Sequence, residues 1–360
     1  MDEDLKALRA RIDGIDDAIL KLVSERAGIA QQVGRTKNGE KIYRPEREAQ
    51  IVRRLRESNP GPLSAEVVER LIREIISACR ALEQITRIAY LGPVGTFSQQ
   101  AVHKHFGHEA EAIAEIDIDT CFHAVETGRA DFAVVPVENS TEGSVGRTLD
   151  LIVSSSLKIC SEVMLPIHQT LMRAKLTHSR ASLDGIARVY GHAQSLAQCQ
   201  QWLNRHLPNA ERVSVVSNSE GARLAAAEPN AATLGSEAAA ELYGLVVVEA
   251  RVEDEVSNTT RFLVLGQADA APSGCDKTSL VMGAQNQPGS VVKLLQPFSD
   301  AGISMSKLES RPARGSNWEY LFFVVCNAHR QDPKMVAALA EVEARAAFLK
   351  VLGSYPAASA

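Results

Sequence analysis

The sequence predicts a multidomain protein in which an all-α domain is followed by an α/β domain and a small α+β module. Three observations predict it. Apolar residues recur in steps of three and four through the first 86 residues. From residue 87 onward, strand-like and helix-like segments alternate. After the linker ADAAPSGCD the order becomes βαββαβ, that of a ferredoxin-like sandwich. A length of 360 residues with 45% apolar content suits two or three ordinary cores, and the expected boundaries are 1–86, 87–267 and 277–360.

In the first domain Leu5, Leu8, Ile12, Ile15, Ile19, Leu22, Ile29 and Val33 mark one face of a helix of about 30 residues. At 1.5 Å per residue it would be roughly 45 Å long, more than its shorter neighbours cover, so pairing with a second copy of the chain is expected. Pro45 opens a second helix that runs to about Glu57, and Ser64 caps a third, after NPGP, that runs to about Gln84. Charges interrupt each apolar face. Arg26 stands where an apolar residue is due, and Arg9 and Lys37 fall on or beside the same stripe. Arg47 and Glu48 lie one turn before Ile51, and Cys79 and Glu83 extend the row Val68, Leu71, Ile72, Ile75 and Ile76. Several cations and a carboxyl converging inside a helical bundle make a pocket for a small dianion.

The strings LKALRARIDGIDDAILKLVSERAGIAQQVGRTK and RPEREAQIVRRL resemble the all-helical chorismate mutase family over almost all of residues 1–86. The resemblance implies that Arg26, Arg47 and an Arg9 reaching across from a partner chain hold the two carboxylates of chorismate. It also implies that Lys37 and Glu83 face the ether oxygen, that Glu48 faces the hydroxyl, and that Cys79 belongs to the lining. The family often has Asp, Ser and Gln where Arg44, Cys79 and Glu83 stand. A carboxyl must be protonated to donate to the ether oxygen, so mutase activity is expected to fall as pH rises. The rearrangement to prephenate is a one-molecule pericyclic shift. Position and charge suffice for it, with no nucleophile, metal or cofactor expected.

The α/β region begins with the strand RIAYLG, the glycine-bearing turn GPVGTFS and the helix SQQAVHKHF. ADFAVVPVE reads as a buried strand. GHAQSLAQCQQWLNRH reads as one amphipathic helix, ERVSVV as a strand, SEGARLAAAE as a helix and TTRFLVLG as a strand. Ligands of such regions sit at strand ends, and the polar run 138–142 after the apolar 134–137 is one such end. His103, His105 and His108 have no His-Glu-x-x-His or C-x-x-C context, so no metal site is expected.

As a set, GPVGTFS, VPVENSTEGSV, GHAQSLAQC, GSEAAAELYGL and NTTRF resemble prephenate dehydratase over about 87–266. This implies a two-lobed, periplasmic-binding-protein-like α/β fold in which Asn139, Gln198 and Thr260 act on prephenate. Thr260 would stand nearest the departing hydroxyl, with Glu138 and Arg261 in support. Gly191 stands where the family often has Ser. Aromatisation drives the loss of hydroxide and carbon dioxide, so the task is hydrogen-bond stabilisation of the leaving oxygen, with Glu138 or water as relay.

In the last region QPGSVV and ESRP resemble the ACT domain of prephenate dehydratases, which implies a module that binds an amino acid, here phenylalanine. Gly289, Ser290, Val291 and Val292, where the family often shows Gly-Ala-Leu-Val, would meet the effector together with Glu309, Ser310, Arg311 and Pro312.

Net charge is −5, and the first 86 residues carry 16 basic against 15 acidic side chains, no footprint for nucleic acid or an anionic membrane. MDEDLKALRARID lacks the apolar core of a secretory signal, so a cytoplasmic location is expected. The scattered cysteines are expected to be reduced thiols. The sequence reads as a cofactor-free bifunctional enzyme that converts chorismate through prephenate to phenylpyruvate under phenylalanine feedback, as a homodimer or larger homo-oligomer. The alternative is a non-catalytic, dimeric amino-acid sensor.

Overall fold

A computed structural model describes residues 2–36, 43–175, 182–284, 287–313 and 320–358. The chain divides into a helical unit, Met1–Thr86 with His103–Glu111, and a larger unit made of the remainder.

In the helical unit α1 (Asp2–Thr36), α2 (Pro45–Glu57) and α3 (Ala65–Ala81) follow the apolar spacing. Pro45 sits in the first turn of α2, where its missing N–H is no loss, and Ser64 Oγ accepts from the Val67 amide to start α3. Leu8, Ile12, Ile15, Ile19 and Leu22 along α1 are each more than half exposed. Among the described residues, this part of the apolar stripe is left largely uncovered.

The chain continues through β1 (Arg87–Leu91), α4 (Phe97–Phe106), β2 (Glu111–Glu115), α5 (Ile118–Glu126), β3 (Phe132–Asn139), β4 (Gly143–Ser144), α6 (Gly146–Ser154) and β5 (Lys158–Pro166). It then crosses into a second lobe: β6 (Thr170–Ala174), β7 (Arg188–His192), α7 (Ala193–Gln198), α8 (Gln200–His206), β8 (Glu211–Val215), α9 (Asn218–Ala227), β9 (Ala231–Gly235), α10 (Glu237–Tyr243) and β10 (Leu245–Ala250). β11 (Thr259–Gly266) returns to the first lobe. The first sheet has the order β2-β1-β3-β11-β5 with β4 on β3, and the second β10-β6-β9-β7-β8. The two chain crossings between lobes are tied together, Ile167 N to Asn258 O at 2.8 Å and Val252 N to Gln169 O at 2.9 Å.

One expected element needs correction. The helix anticipated over 191–206 begins only at Ala193 and breaks at Cys199. The Asp254 carboxylate accepts from the Gln201 and Trp202 amides at 2.8 and 2.9 Å and so supplies a second helix start.

The last module, β12 (Asp276–Gly283), α11 (Ser290–Asp300), β13 (Met305–Pro312), β14 (Tyr320–Cys326), α12 (Pro333–Arg345) and β15 (Phe348–Pro356), forms the expected βαββαβ sheet in the order β13-β14-β12-β15. On one sheet face Leu280 and Val324 share a core with Phe298 of α11 and Met335 of α12. The other joins the first lobe, because Val281, Phe323, Leu352 and Tyr355 share a core with Val135, Ile152 and Leu265. Among the described residues no helix is long and apolar enough to cross a membrane.

Candidate active sites

The helical unit forms an open cavity of about 600 Å3 lined by α1, α2 and α3. Of the residues singled out from sequence, Arg26, Arg47, Glu48, Cys79 and Glu83 line it. Arg9 is exposed on α1, and Lys37 lies outside the described residues. Glu83 packs so closely on Gly34 of α1 that a Cβ there would overlap its carboxyl group. Arg44, Arg54 and Arg80 join the lining. The cavity is therefore rich in guanidinium groups over an aliphatic floor that includes Ile29, Ile51, Ile72 and Ile76, a composition that favours a small anion with an apolar body. Arg80 was not anticipated from sequence. Its signal is the spacing Ile72, Ile76, Arg80, which puts it on the buried face of α3.

In the larger unit the register of β3 against β11 sets Thr260 opposite Asn139 and Arg261 opposite Glu138. Asn139 is buried, and its Nδ2 donates to Thr260 Oγ1 at 2.8 Å and to Asn258 Oδ1 at 2.9 Å. Its Oδ1 accepts from the Thr141 amide and hydroxyl and from the Glu142 amide. The polar run after the apolar strand thus folds back to saturate one amide side chain. Gln198 belongs to the second lobe, at the end of α7. Its Oε1 accepts from Gln169 Nε2 at 3.3 Å.

Two atoms here are buried without a hydrogen-bond partner, Asn258 Nδ2 and Gln169 Oε1. They lie on the two crossings between the lobes, next to the Asn139 and Gln198 amides respectively, and sequence reasoning did not mark either side chain. The turn GPVGT joins the lobes, since Ser219 Oγ donates to the Val94 carbonyl at 2.8 Å and Ser236 Oγ to that of Gly95 at 2.7 Å.

Glu138 and Arg261 project from the opposite face of the sheet, because successive side chains of a strand alternate. Arg261 Nε is 2.8 Å from Glu162, its Nη2 donates to Tyr355 Oη at 2.9 Å, and Lys277 Nζ reaches the second Glu162 oxygen at 2.6 Å. Burial pushes the Glu162 carboxyl up, but Arg261 and Lys277 more than offset this and hold it below its ordinary value. Glu138 is 3.0 Å from Lys307 of β13.

The stretch ESRP lies on β13, and its inward side chains face the first lobe. Glu309 accepts from Ser144 Oγ and pairs with Lys307 at 3.1 Å. Arg311 donates to the Gly146 carbonyl at 2.9 Å and lies 3.5 Å from Asp150. Ser310 and Pro312 alternate outward and are exposed. Gly289 caps α11 with a positive φ of 77°, and Ser290, Val291 and Val292 form the first turn of that helix, with Val292 exposed.

Comparison with known proteins matches three consecutive stretches of the chain. Residues 8–84 match the family model Chorismate mutase type II, 88–270 match Prephenate dehydratase and 278–344 match ACT domain. The chain is 51% identical over 360 residues to a bifunctional chorismate mutase/prephenate dehydratase of Neisseria gonorrhoeae, covering 99% of this chain and 98% of that one. It is 47% identical over 363 residues to the protein of that description from Stutzerimonas stutzeri, with the same coverage. A solved prephenate dehydratase from Arthrobacter aurescens, in complex with L-Phe, superposes with a TM-score of 0.68 at 31% identity, covering 75% of this chain and 90% of that one.

Proposed function

Because the chain belongs to the bifunctional chorismate mutase/prephenate dehydratase family, we propose that its helical cavity rearranges chorismate to prephenate and that the Asn139–Thr260 cluster converts prephenate to phenylpyruvate. The observation that carries this reading is the Asn139–Thr260 hydrogen bond, which joins residues 121 positions apart at one strand end. Thr260 Oγ1 accepts from Asn139, so its own proton remains to be donated to the ring hydroxyl of prephenate. As the C–OH bond breaks, the electron pair of the bond to the ring carboxylate moves into the ring and carbon dioxide departs. The hydroxide is stabilised by Thr260 and takes a proton from solvent.

In the cavity, Arg26 and Arg47 pair with substrate carboxylates and hold the compact conformer. Glu48 accepts from the hydroxyl, while Lys37 and the protonated form of Glu83 donate to the ether oxygen as charge develops on it. The exposed face of α1 supports a homodimer in which a second α1 covers it and Arg9 completes the partner's cavity. The ACT module takes phenylalanine as feedback inhibitor. Absorbance loss of chorismate, followed by phenylpyruvate detection with and without phenylalanine, tests the whole reading. Binding of all three compounds without turnover would favour the sensor instead.

A further inference from the structure

Arg80 of α3 is only 6% exposed, and a cation buried so deeply needs partners on every side. Its Nη1 donates to Glu48 Oε1 of α2 at 2.5 Å and its Nη2 to the Phe106 carbonyl at 2.7 Å. Its guanidinium carbon lies 5.4 Å from the Tyr43 ring centroid and 5.6 Å from that of Phe106, within reach of both π faces. Tyr43 is in turn fixed by its hydroxyl, 2.5 Å from His105 Nε2. The carbonyl and the two rings hold Arg80 without help from Glu48, so the guanidinium is preorganised and the carboxylate is what it positions.

Glu48 shares the cavity with Arg26 and Arg47. A carboxylate in that company has two uses open to it. Turned toward those guanidinium groups, it would cancel the positive field that draws a doubly charged ligand. Held away from them, it accepts a hydrogen bond from the ligand's hydroxyl while the field stays intact. We propose that Arg80 is a positioning residue of the mutase reaction, which draws Glu48 to the α3 side of the cavity and keeps it from Arg26 and Arg47. This rests on reading the cavity as the chorismate site. Within the sequence, Phe106 falls inside the stretch that matches the dehydratase family, so this support comes from beyond the mutase-matching residues.

The test is a double-mutant cycle on the full chain, with chorismate turnover by Arg80→Met, Glu48→Gln and the double variant. Arg80→Met is expected to raise KM about tenfold or more, the scale of a charge-assisted hydrogen bond, with a smaller loss in kcat. In the Glu48→Gln background the same change is expected to move KM by less than about twofold, because no carboxylate remains to be held. Arg80→Lys keeps the charge without the fork and is expected to fall between parent and Arg80→Met. It replaces Arg80→Met in the cycle if that variant does not fold, which the helical circular-dichroism signal of the same preparation reads. Unchanged kinetics in Arg80→Met, or an equal KM effect in both backgrounds, overturns the proposal and leaves Arg80 as packing. A parent chain that does not consume chorismate overturns the cavity reading itself, before any variant is compared.

Discussion

Asn139 makes five hydrogen bonds, two given by Nδ2 and three received by Oδ1, so its orientation is set from both ends. That fixes the direction of the Thr260 hydroxyl, which receives one of the two donated protons. Removing the hydroxyl while keeping the strand isolates its role. Thr260→Ala is expected to leave chorismate consumption at the parental rate and to lower phenylpyruvate formation by about a hundredfold or more, as read by following both compounds in one reaction. Thr260→Ser, which keeps the donor, is expected to recover much of the loss. Parental phenylpyruvate formation by Thr260→Ala would remove this residue from the mechanism. Composition and spacing pointed to a polar strand end at 138–142, but a lone strand threonine carries no such signal. Thr260 was found through its place among family-like motifs, because the register that joins it to Asn139 is a long-range property.

The elements legible in the sequence are those whose ends are set locally. Pro45 and Ser64 act on their own first turns, so α2 and α3 begin where the sequence puts them. The break at Cys199 was not legible, since the carboxylate that restarts the helix belongs to Asp254, more than fifty residues on. Nor was the seating of β15 on β5. Gly353 has a φ of 157°, and a Cβ there would overlap the Ile159 carbonyl oxygen and come within 2.7 Å of its amide nitrogen. Both obstacles are backbone, so neither can swing aside. Gly353→Ala is expected to destabilise the larger unit by about 3 kcal/mol or more, measured as a lower urea midpoint. An unchanged midpoint would mean that β15 is not held against β5 in solution.

Across the molecule, the βαββαβ module and the first lobe share a core and charged links at Glu162, Lys307 and Arg311, so whatever moves β13 or β15 acts on the lobe directly. One link is Glu162 with Arg261 and Lys277. Its folded value lies below the ordinary one near 4.5, so its stabilisation is present above that pH and is lost as pH falls through the folded value. Glu162→Gln is expected to cost about 3 kcal/mol near pH 7 by leaving the partly buried Arg261 and Lys277 without their shared carboxylate. The gap from the parent should narrow below about pH 4.5 in urea midpoints taken across that range, and a gap independent of pH would contradict the assignment. A second link is Lys307, which touches Glu138, Ser144 and Glu309 together. Glu138 adjoins Asn139 on β3, so a shift of β13 reaches the Asn139 amide through one peptide unit. An effector can use that route only by binding one position of β13 better than another. Lys307→Met removes the bridge while leaving Asn139 and Thr260 in place. It is expected to weaken phenylalanine inhibition of prephenate turnover by about tenfold, within the usual range of coupling energies. Chorismate turnover, which we place in the helical cavity, should stay at the parental rate. A phenylalanine dose response identical to the parent's would show that the signal does not pass through Lys307, leaving the shared apolar core and the Glu162 and Arg311 contacts to carry it.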